Sequence, residues 1–70
     1  MRVLGIDPGI AIVGFGLVDK KGSSLKPVQY GSIQTKAHTD PAIRLKQVYD
    51  ALVQLLDKYK PDQVAIEKLF

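Results

Sequence analysis

The sequence contains no cysteine and no tryptophan, and its aromatic residues are three tyrosines and two phenylalanines. Without cysteine, neither a disulfide framework nor a thiolate zinc site can compensate for a small core, and a reducing compartment suits this composition. Long apolar runs are also missing, because the first one ends at Asp7 and none approaches the roughly 18 residues of a membrane span. No secretory signal pattern is present. We therefore expect a cytoplasmic protein without a membrane-spanning segment.

Charge of either sign is spread thinly rather than gathered in one stretch. Ten Lys and Arg against seven Asp and Glu give a net charge of +3, which permits a phosphate-bearing partner. The dense basic stripe that would by itself indicate nucleic-acid binding is missing. With 46% apolar residues the composition is that of a folded globular protein. A chain of 70 residues forms one domain at most, and its core must be thin.

The first half of the chain predicts three consecutive antiparallel strands. The apolar run "VLGI" ends at Asp7, and the Pro-Gly pair that follows suits the centre of a tight turn. In "IAIVGFGLVD", residues 10–19, larger apolar residues alternate with glycines at strand period. Residues 20–24, "KKGSS", predict a hairpin loop. Residues 25–35 predict a third strand, in which Pro27 favours a position at the edge of the sheet.

The second half predicts a helix and a returning strand. Within residues 39–61, apolar side chains recur every three or four positions on one face, namely Leu45, Val48, Leu52, Leu55 or Leu56, and Tyr59. Asp40 is the expected N-cap, Pro41 the first helical residue, and Pro61 the stop. Residues 62–70 predict a strand that returns parallel to the sheet by a right-handed crossover. If this strand lies beside the first, the sheet order is 3-2-1-4.

Two acids end neighbouring strands in this topology. Asp7 and Glu67 then occupy the carboxyl ends of parallel strands about 4.8 Å apart, and strand period places both on the same face. Two carboxylates at this spacing repel each other unless a cation lies between them, and hard oxygen ligands suit Mg²⁺ or Mn²⁺. Magnesium held by few protein oxygens usually completes its shell with substrate phosphates. The pattern therefore predicts a metal site for phosphoryl chemistry.

The same alternation predicts which face of the sheet the helix covers. We expect it to cover the aliphatic face, which carries Leu4, Ile6, Val13, Phe15, Leu17, Val64 and Ile66. The opposite face then exposes Val3, Gly5, Ile12, Gly14, Val18 and Ala65. The fourth strand is a bare edge in this arrangement. Because unpaired edges and apolar patches drive association, we expect the 70-residue chain to form oligomers by edge pairing or face packing.

Three stretches closely resemble the amino-terminal part of the RuvC family, the bacterial Holliday junction resolvases. They are "GIDPG" followed by the glycine-rich strand, "TKAHTDPAIRL" leading into the helix, and "PDQVAIEKLF" at the end, so that the resemblance spans the whole chain. It implies an α/β, RNase H-like fold. It also implies an Mg²⁺-dependent endonuclease that resolves four-way DNA junctions in recombination and repair by two-metal phosphodiester hydrolysis.

The resemblance also assigns residues and partners. Asp7 and Glu67 resemble two of the family's four acidic metal ligands, and Phe70 resembles an aromatic residue that stacks on a base near the junction centre. The implied partners are four-way junction DNA, a second copy in a homodimer, and the junction-migration helicase machinery. In the family, two further aspartates, basic residues and the dimer helix come from a carboxyl-terminal half. We therefore expect residues 1–70 to be the amino-terminal portion of one nuclease domain, inactive alone.

Other interpretations of these residues stay open. Asp7 alone could be a turn acid that bonds its own backbone, and Phe70 could equally be a core aromatic. His38, in the loop before the helix, is assigned no role, and the lysines at positions 20, 21 and 36 are more typical of solubility than of phosphate contact.

Other functional classes also stay open. The phosphate-binding half of an actin-like or sugar-kinase ATPase begins similarly, but it requires a hydroxyl or lysine where residues 10–12 are "IAI". A non-catalytic RNase H-like binding module is a third interpretation.

Overall fold

The computed structural model describes residues 1–9 and 12–67. Its elements are, in chain order, β1 (Arg2–Pro8), β2 (Ile12–Lys21), β3 (Ser24–Gln34), α1 (Pro41–Tyr59) and β4 (Gln63–Ile66). The four strands form one sheet in the order β3-β2-β1-β4. β4 runs parallel to β1, while β1 with β2 and β2 with β3 are antiparallel. The predicted topology is confirmed, and β4 ends sooner than the apolar run of residues 62–70 indicated.

The hairpin between β2 and β3 is tighter than predicted. The ladder continues until Lys21 lies opposite Ser24, which leaves a two-residue turn. Gly22 in this turn has φ 63°, the sign that a type II′ turn requires at its first central residue. The predicted five-residue loop is therefore wrong, because this glycine allows the strands to continue to the turn. Pro27 lies on the edge strand β3, as predicted, next to an irregularity in the register opposite β2.

Both ends of α1 follow the sequence signals. The Asp40 carboxylate accepts a hydrogen bond from the Ala42 N–H at 2.9 Å, and Pro41 begins the helix. At the other end Lys60 adopts a left-handed conformation with φ 47°, and its N–H donates to the Leu56 carbonyl at 2.9 Å. Such a residue commonly closes a helix, and Pro61 follows it. Within the described part of the chain, no helix has the length and apolarity needed to cross a membrane.

The core is small and lies between α1 and the middle of the sheet. Its buried side chains all come from β1 and β2, namely Leu4, Ile6, Val13 and Leu17. Five partly buried side chains pack against them, namely Phe15, Ile33, Val48, Leu52 and Tyr59. The helix therefore covers β1, β2 and part of β3.

Three residues predicted to lie in the helix–sheet interface are instead exposed. Val64 and Ile66 of β4 are 48% and 70% exposed, and Leu45 of α1 is 71% exposed. For the two residues of β4 the prediction is wrong for a geometric reason. One helix is about 10 Å wide and strands lie about 4.8 Å apart, so that a single helix covers about two strands. α1 lies over the centre of the sheet and leaves β4 uncovered.

An arginine joins the helix to the sheet at the amino end of β1. The Arg2 guanidinium donates to the Asp19 carboxylate, with Nε 2.8 Å from Oδ1, and to the Tyr59 carbonyl at 3.0 Å. The Arg2 backbone N–H donates to the Asp62 carboxylate at 2.7 Å. These bonds connect β1, β2, the end of α1 and the start of β4.

Candidate metal centre

The acids predicted to share one end of the sheet do so. The β1–β4 register pairs Gly5 with Ala65 and Ile6 with Ile66, so that Asp7 and Glu67 occupy the next paired position. The Glu67 N–H donates to the Ile6 carbonyl at 3.0 Å, which continues the backbone pairing to this residue. Strand alternation places both side chains on the face opposite α1, and both residues are exposed.

Asp7 and Glu67 line one open depression of about 530 Å³ on that face. Three glycines of β1 and β2 form part of its lining, Gly5, Gly14 and Gly16. Gly14 lies opposite Asp7 in the register, and nothing lies within 4 Å of where a Gly16 side chain would begin. Val3, Val18 and Ala65 also contribute to the lining. The glycines therefore leave backbone uncovered beside the acids, between the side chains of Val3, Val18 and Ala65.

The donor set suits a hard divalent cation. Within the described residues neither the Asp7 nor the Glu67 carboxylate forms an ion pair, so their oxygens are available as ligands. Carboxylate oxygens are the ligands that Mg²⁺ and Mn²⁺ prefer. In residues 1–9 and 12–67, no group of three or more His, Cys, Asp or Glu side chains is placed to hold a metal ion. Two carboxylates are thus what the described chain offers.

The other residues considered from the sequence lie away from this centre or outside the described part. Lys20 is at the far end of the sheet, because its N–H donates to the Met1 carbonyl beside the start of β1. Lys36 and His38 are exposed in the loop between β3 and α1. Phe70 lies outside the described residues.

Arg44 is a candidate site residue that the sequence reasoning missed. Its Nε donates to the Thr35 hydroxyl at 2.8 Å, and its Nη2 donates to the Gly9 carbonyl at 3.0 Å. Gly9 is two residues beyond Asp7. One signal was available, because Arg44 is in the first turn of α1, where a positive charge opposes the helix dipole. A cation there does not stabilise the helix, and the bonds of the Arg44 side chain are with other parts of the fold.

The sheet order β3-β2-β1-β4 with one covering helix, which the chain shares with solved RuvC structures, is an α/β, RNase H-like fold. The structure of Thermus thermophilus RuvC in complex with Holliday junction substrate matches with a TM-score of 0.88 and 27% identity. This match covers 100% of the present chain and 45% of the other. The family model described as crossover junction endodeoxyribonuclease RuvC matches residues 3–70, and the chain belongs to that family.

Curated relatives support the same assignment. The crossover junction endodeoxyribonuclease RuvC of Brevibacillus brevis is 64% identical over 70 residues, which is 100% of this chain and 42% of the relative. The chain thus spans less than half the length of the curated relatives it matches. A structure of the Aquifex aeolicus member of the Ppx/GppA family also matches, with a TM-score of 0.73, 22% identity and coverage of 97% of this chain and 26% of that one. That likeness shows a shared fold alone.

Proposed function

We propose that this chain is the amino-terminal part of a Holliday junction resolvase. The longer protein would hydrolyse DNA phosphodiesters at four-way junctions, in recombination and repair. The observation that carries the proposal is the pair Asp7 and Glu67, which lie side by side on the open face of the sheet in a chain of the RuvC family. The Thermus thermophilus RuvC whose fold matches was solved with a Holliday junction substrate, which supports this choice of substrate.

Asp7 and Glu67 would hold Mg²⁺, with Mn²⁺ as a substitute. When bound, the metal would polarise the scissile phosphate and favour ionisation of the attacking water. The two carboxylates supply the negative charge that attracts the cation. The rigid ends of two hydrogen-bonded strands fix the spacing between these carboxylates. A two-metal displacement clamps both the attacking and the leaving oxygen, which two carboxylates alone cannot support. We therefore place catalysis in the longer protein, with two further aspartates as the remaining ligands.

The open depression would receive the DNA backbone beside the metal. Its glycine lining leaves room for sugar and phosphate close to the sheet, and the net charge of +3 favours a polyanion. Phe70 would stack on a base near the junction centre. A homodimer would present two such centres to a four-way junction. The junction-migration helicase machinery would be a further partner. We place this activity in the bacterial cytoplasm.

Asp7→Asn in the full-length protein tests the proposal. Asparagine has the same shape as aspartate but carries no charge, so the fold should be unchanged. Junction binding in a gel shift should therefore persist. Cleavage of a synthetic four-way junction with Mg²⁺ should fall at least about 100-fold, since even groups that only orient a metal ligand are worth up to that factor.

Asp50→Asn is the matched control. This substitution makes the same chemical change on the exposed surface of α1, where Asp50 pairs with Lys46 at 2.8 Å. The Asp50→Asn variant should cleave at the wild-type rate. Wild-type cleavage by Asp7→Asn would contradict the assignment of Asp7.

A further inference from the structure

We propose that Arg44 is a positioning residue for the metal centre. It holds the turn that follows Asp7, and through that turn it fixes the direction of the Asp7 carboxylate relative to Glu67. This inference rests on the proposed function, because it takes Asp7 to be a metal ligand. Arg44 touches neither acid in the hydrogen bonds of the described residues; its contacts are with the backbone and hydroxyl groups around them.

The Arg44 guanidinium joins three parts of the fold. It extends from the first turn of α1, donates through Nε to the Thr35 hydroxyl just after β3, and donates through Nη2 to the Gly9 carbonyl just after β1. The residues bridged by the second bond are 35 positions apart in the chain. The guanidinium therefore connects the helix to the segment that carries Asp7.

The described residues directly after Asp7 offer few other anchoring groups. The β1–β2 pairing ends where Pro8 lies opposite Val13, and Pro8 has no N–H to donate. Gly9 cannot carry a side chain, because a Cβ atom there would collide with the Ile12 carbonyl oxygen. A side chain at position 9 therefore cannot anchor this segment, whereas the Arg44 guanidinium bonds the Gly9 carbonyl directly.

Arginine is suited to this task in a way that lysine is not. A guanidinium is a planar fork whose donors diverge in fixed directions, so one side chain can bond two acceptors on different elements. A lysine ammonium is a compact point charge on a flexible stem. The position of Arg44 in the first turn of α1 is unfavourable for a cation, because it opposes the helix dipole. This is consistent with Arg44 serving to bond Thr35 and Gly9 rather than to stabilise the helix.

The chain contains a matched control at the opposite end of the sheet. Arg2 also joins the helix to the sheet, through the Asp19 carboxylate and the Tyr59 carbonyl. It begins β1, whereas Asp7 is near the end of the same strand. If the arginine bridges served only to hold α1 on the sheet, loss of either would have the same effect on a metal bound at Asp7.

The test compares Arg44→Lys with Arg2→Lys in the full-length protein. Mn²⁺ binding is measured without DNA, from the electron paramagnetic resonance signal of the free ion, and stability is measured by thermal unfolding. We expect Arg44→Lys to weaken Mn²⁺ binding about tenfold, the lower end of the range for groups that orient metal ligands. Arg2→Lys should lose stability but bind Mn²⁺ like the wild type. The Mg²⁺ concentration for half-maximal junction cleavage should rise for Arg44→Lys alone.

Unchanged Mn²⁺ affinity in Arg44→Lys, or equal weakening in both lysine variants, would overturn the positioning role. Arg44→Gln, which keeps an amide donor without the charge, replaces Arg44→Lys if that variant does not fold, with the same expectation. Asp7→Asn separates the two proposals. If it weakens Mn²⁺ binding while the Arg44 variants do not, Asp7 remains a ligand and the role of Arg44 is refuted. If Asp7→Asn binds Mn²⁺ like the wild type, the proposed metal centre itself is wrong.

Discussion

Gly16 and Gly31 lie on neighbouring strands but leave very different space for a side chain. A Cβ on Gly31 would lie 3.0 Å from Cζ of the Phe15 ring, which packs against the core, whereas nothing lies within 4 Å of a Cβ on Gly16. We expect Gly31→Ala to lower the free energy of unfolding by about 1–3 kcal/mol through overpacking. Gly16→Ala should be neutral or raise it by about 0.5 kcal/mol, because glycine weakens a strand. Urea unfolding measures the change for each variant. Equal effects of the two substitutions would contradict the close approach of a Gly31 Cβ to the Phe15 ring.

At the scale of single residues, the sequence predicted where Asp7 and Glu67 lie in the sheet but missed the bonds of Arg44. Asp7 and Glu67 follow from strand period and a parallel return, both of which are local patterns of apolar and polar residues. The partner of Arg44 is a backbone carbonyl 35 residues away, and a carbonyl has no signature in the sequence. Which side chain reaches it depends on where α1 lies over the sheet. Only the cation in the first helical turn indicated that this position needed an explanation.

At the scale of elements, the ion pair between Arg2 and Asp19 fastens β1 to β2 and predicts a pH effect. The hydrogen bond from Arg2 lowers the pKa of the Asp19 carboxyl below its ordinary value of 3.8, against the opposing effect of desolvation. The folded protein therefore binds this proton more weakly than the unfolded chain does. The stabilisation is present above the ordinary pKa and is lost as the pH falls through the lower folded value.

Asp19→Asn tests this pH effect. At neutral pH the variant should be slightly less stable than the wild type, because both side chains of the pair are partly exposed and the contribution of such a pair is small. The difference should shrink as urea unfolding is repeated down to about pH 3. A deficit that is unchanged at acid pH would show that the variant acts through packing rather than through the charge of Asp19.

Element order and caps were predictable, while the lateral position of the helix was not. The 3-2-1-4 order follows from the strand–helix–strand rule, and Asp40 and Pro41 are local signals for the start of α1. Apolar spacing indicates which face of a helix is buried, but it does not say which strands that face covers. Val64 and Ile66 were therefore predicted beneath α1 and are exposed. The tight hairpin was missed because the left-handed conformation of Gly22 was not anticipated.

At the scale of the whole molecule, a small core coexists with a large exposed apolar surface. The buried side chains of the described chain come from two strands only, while α1 exposes Ile43, Leu45 and Tyr49, each by more than half. β4 adds Val64 and Ile66, and the described chain pairs this strand with β1 on one side only. An unpaired strand edge beside apolar side chains is a template for association.

We therefore expect the isolated 70-residue chain to self-associate through β4 in sedimentation experiments at high micromolar concentration. Ile66→Lys places a charge on this edge and should shift the chain toward monomer, because charged edge residues oppose strand pairing. Leu25→Lys is the matched control on the opposite edge strand, since Leu25 is 67% exposed and Ile66 is 70% exposed. It should leave association unchanged, because Pro27 already interrupts the hydrogen-bonding potential of β3. A monomeric wild-type chain, or dissociation by Leu25→Lys instead of Ile66→Lys, would refute pairing through β4.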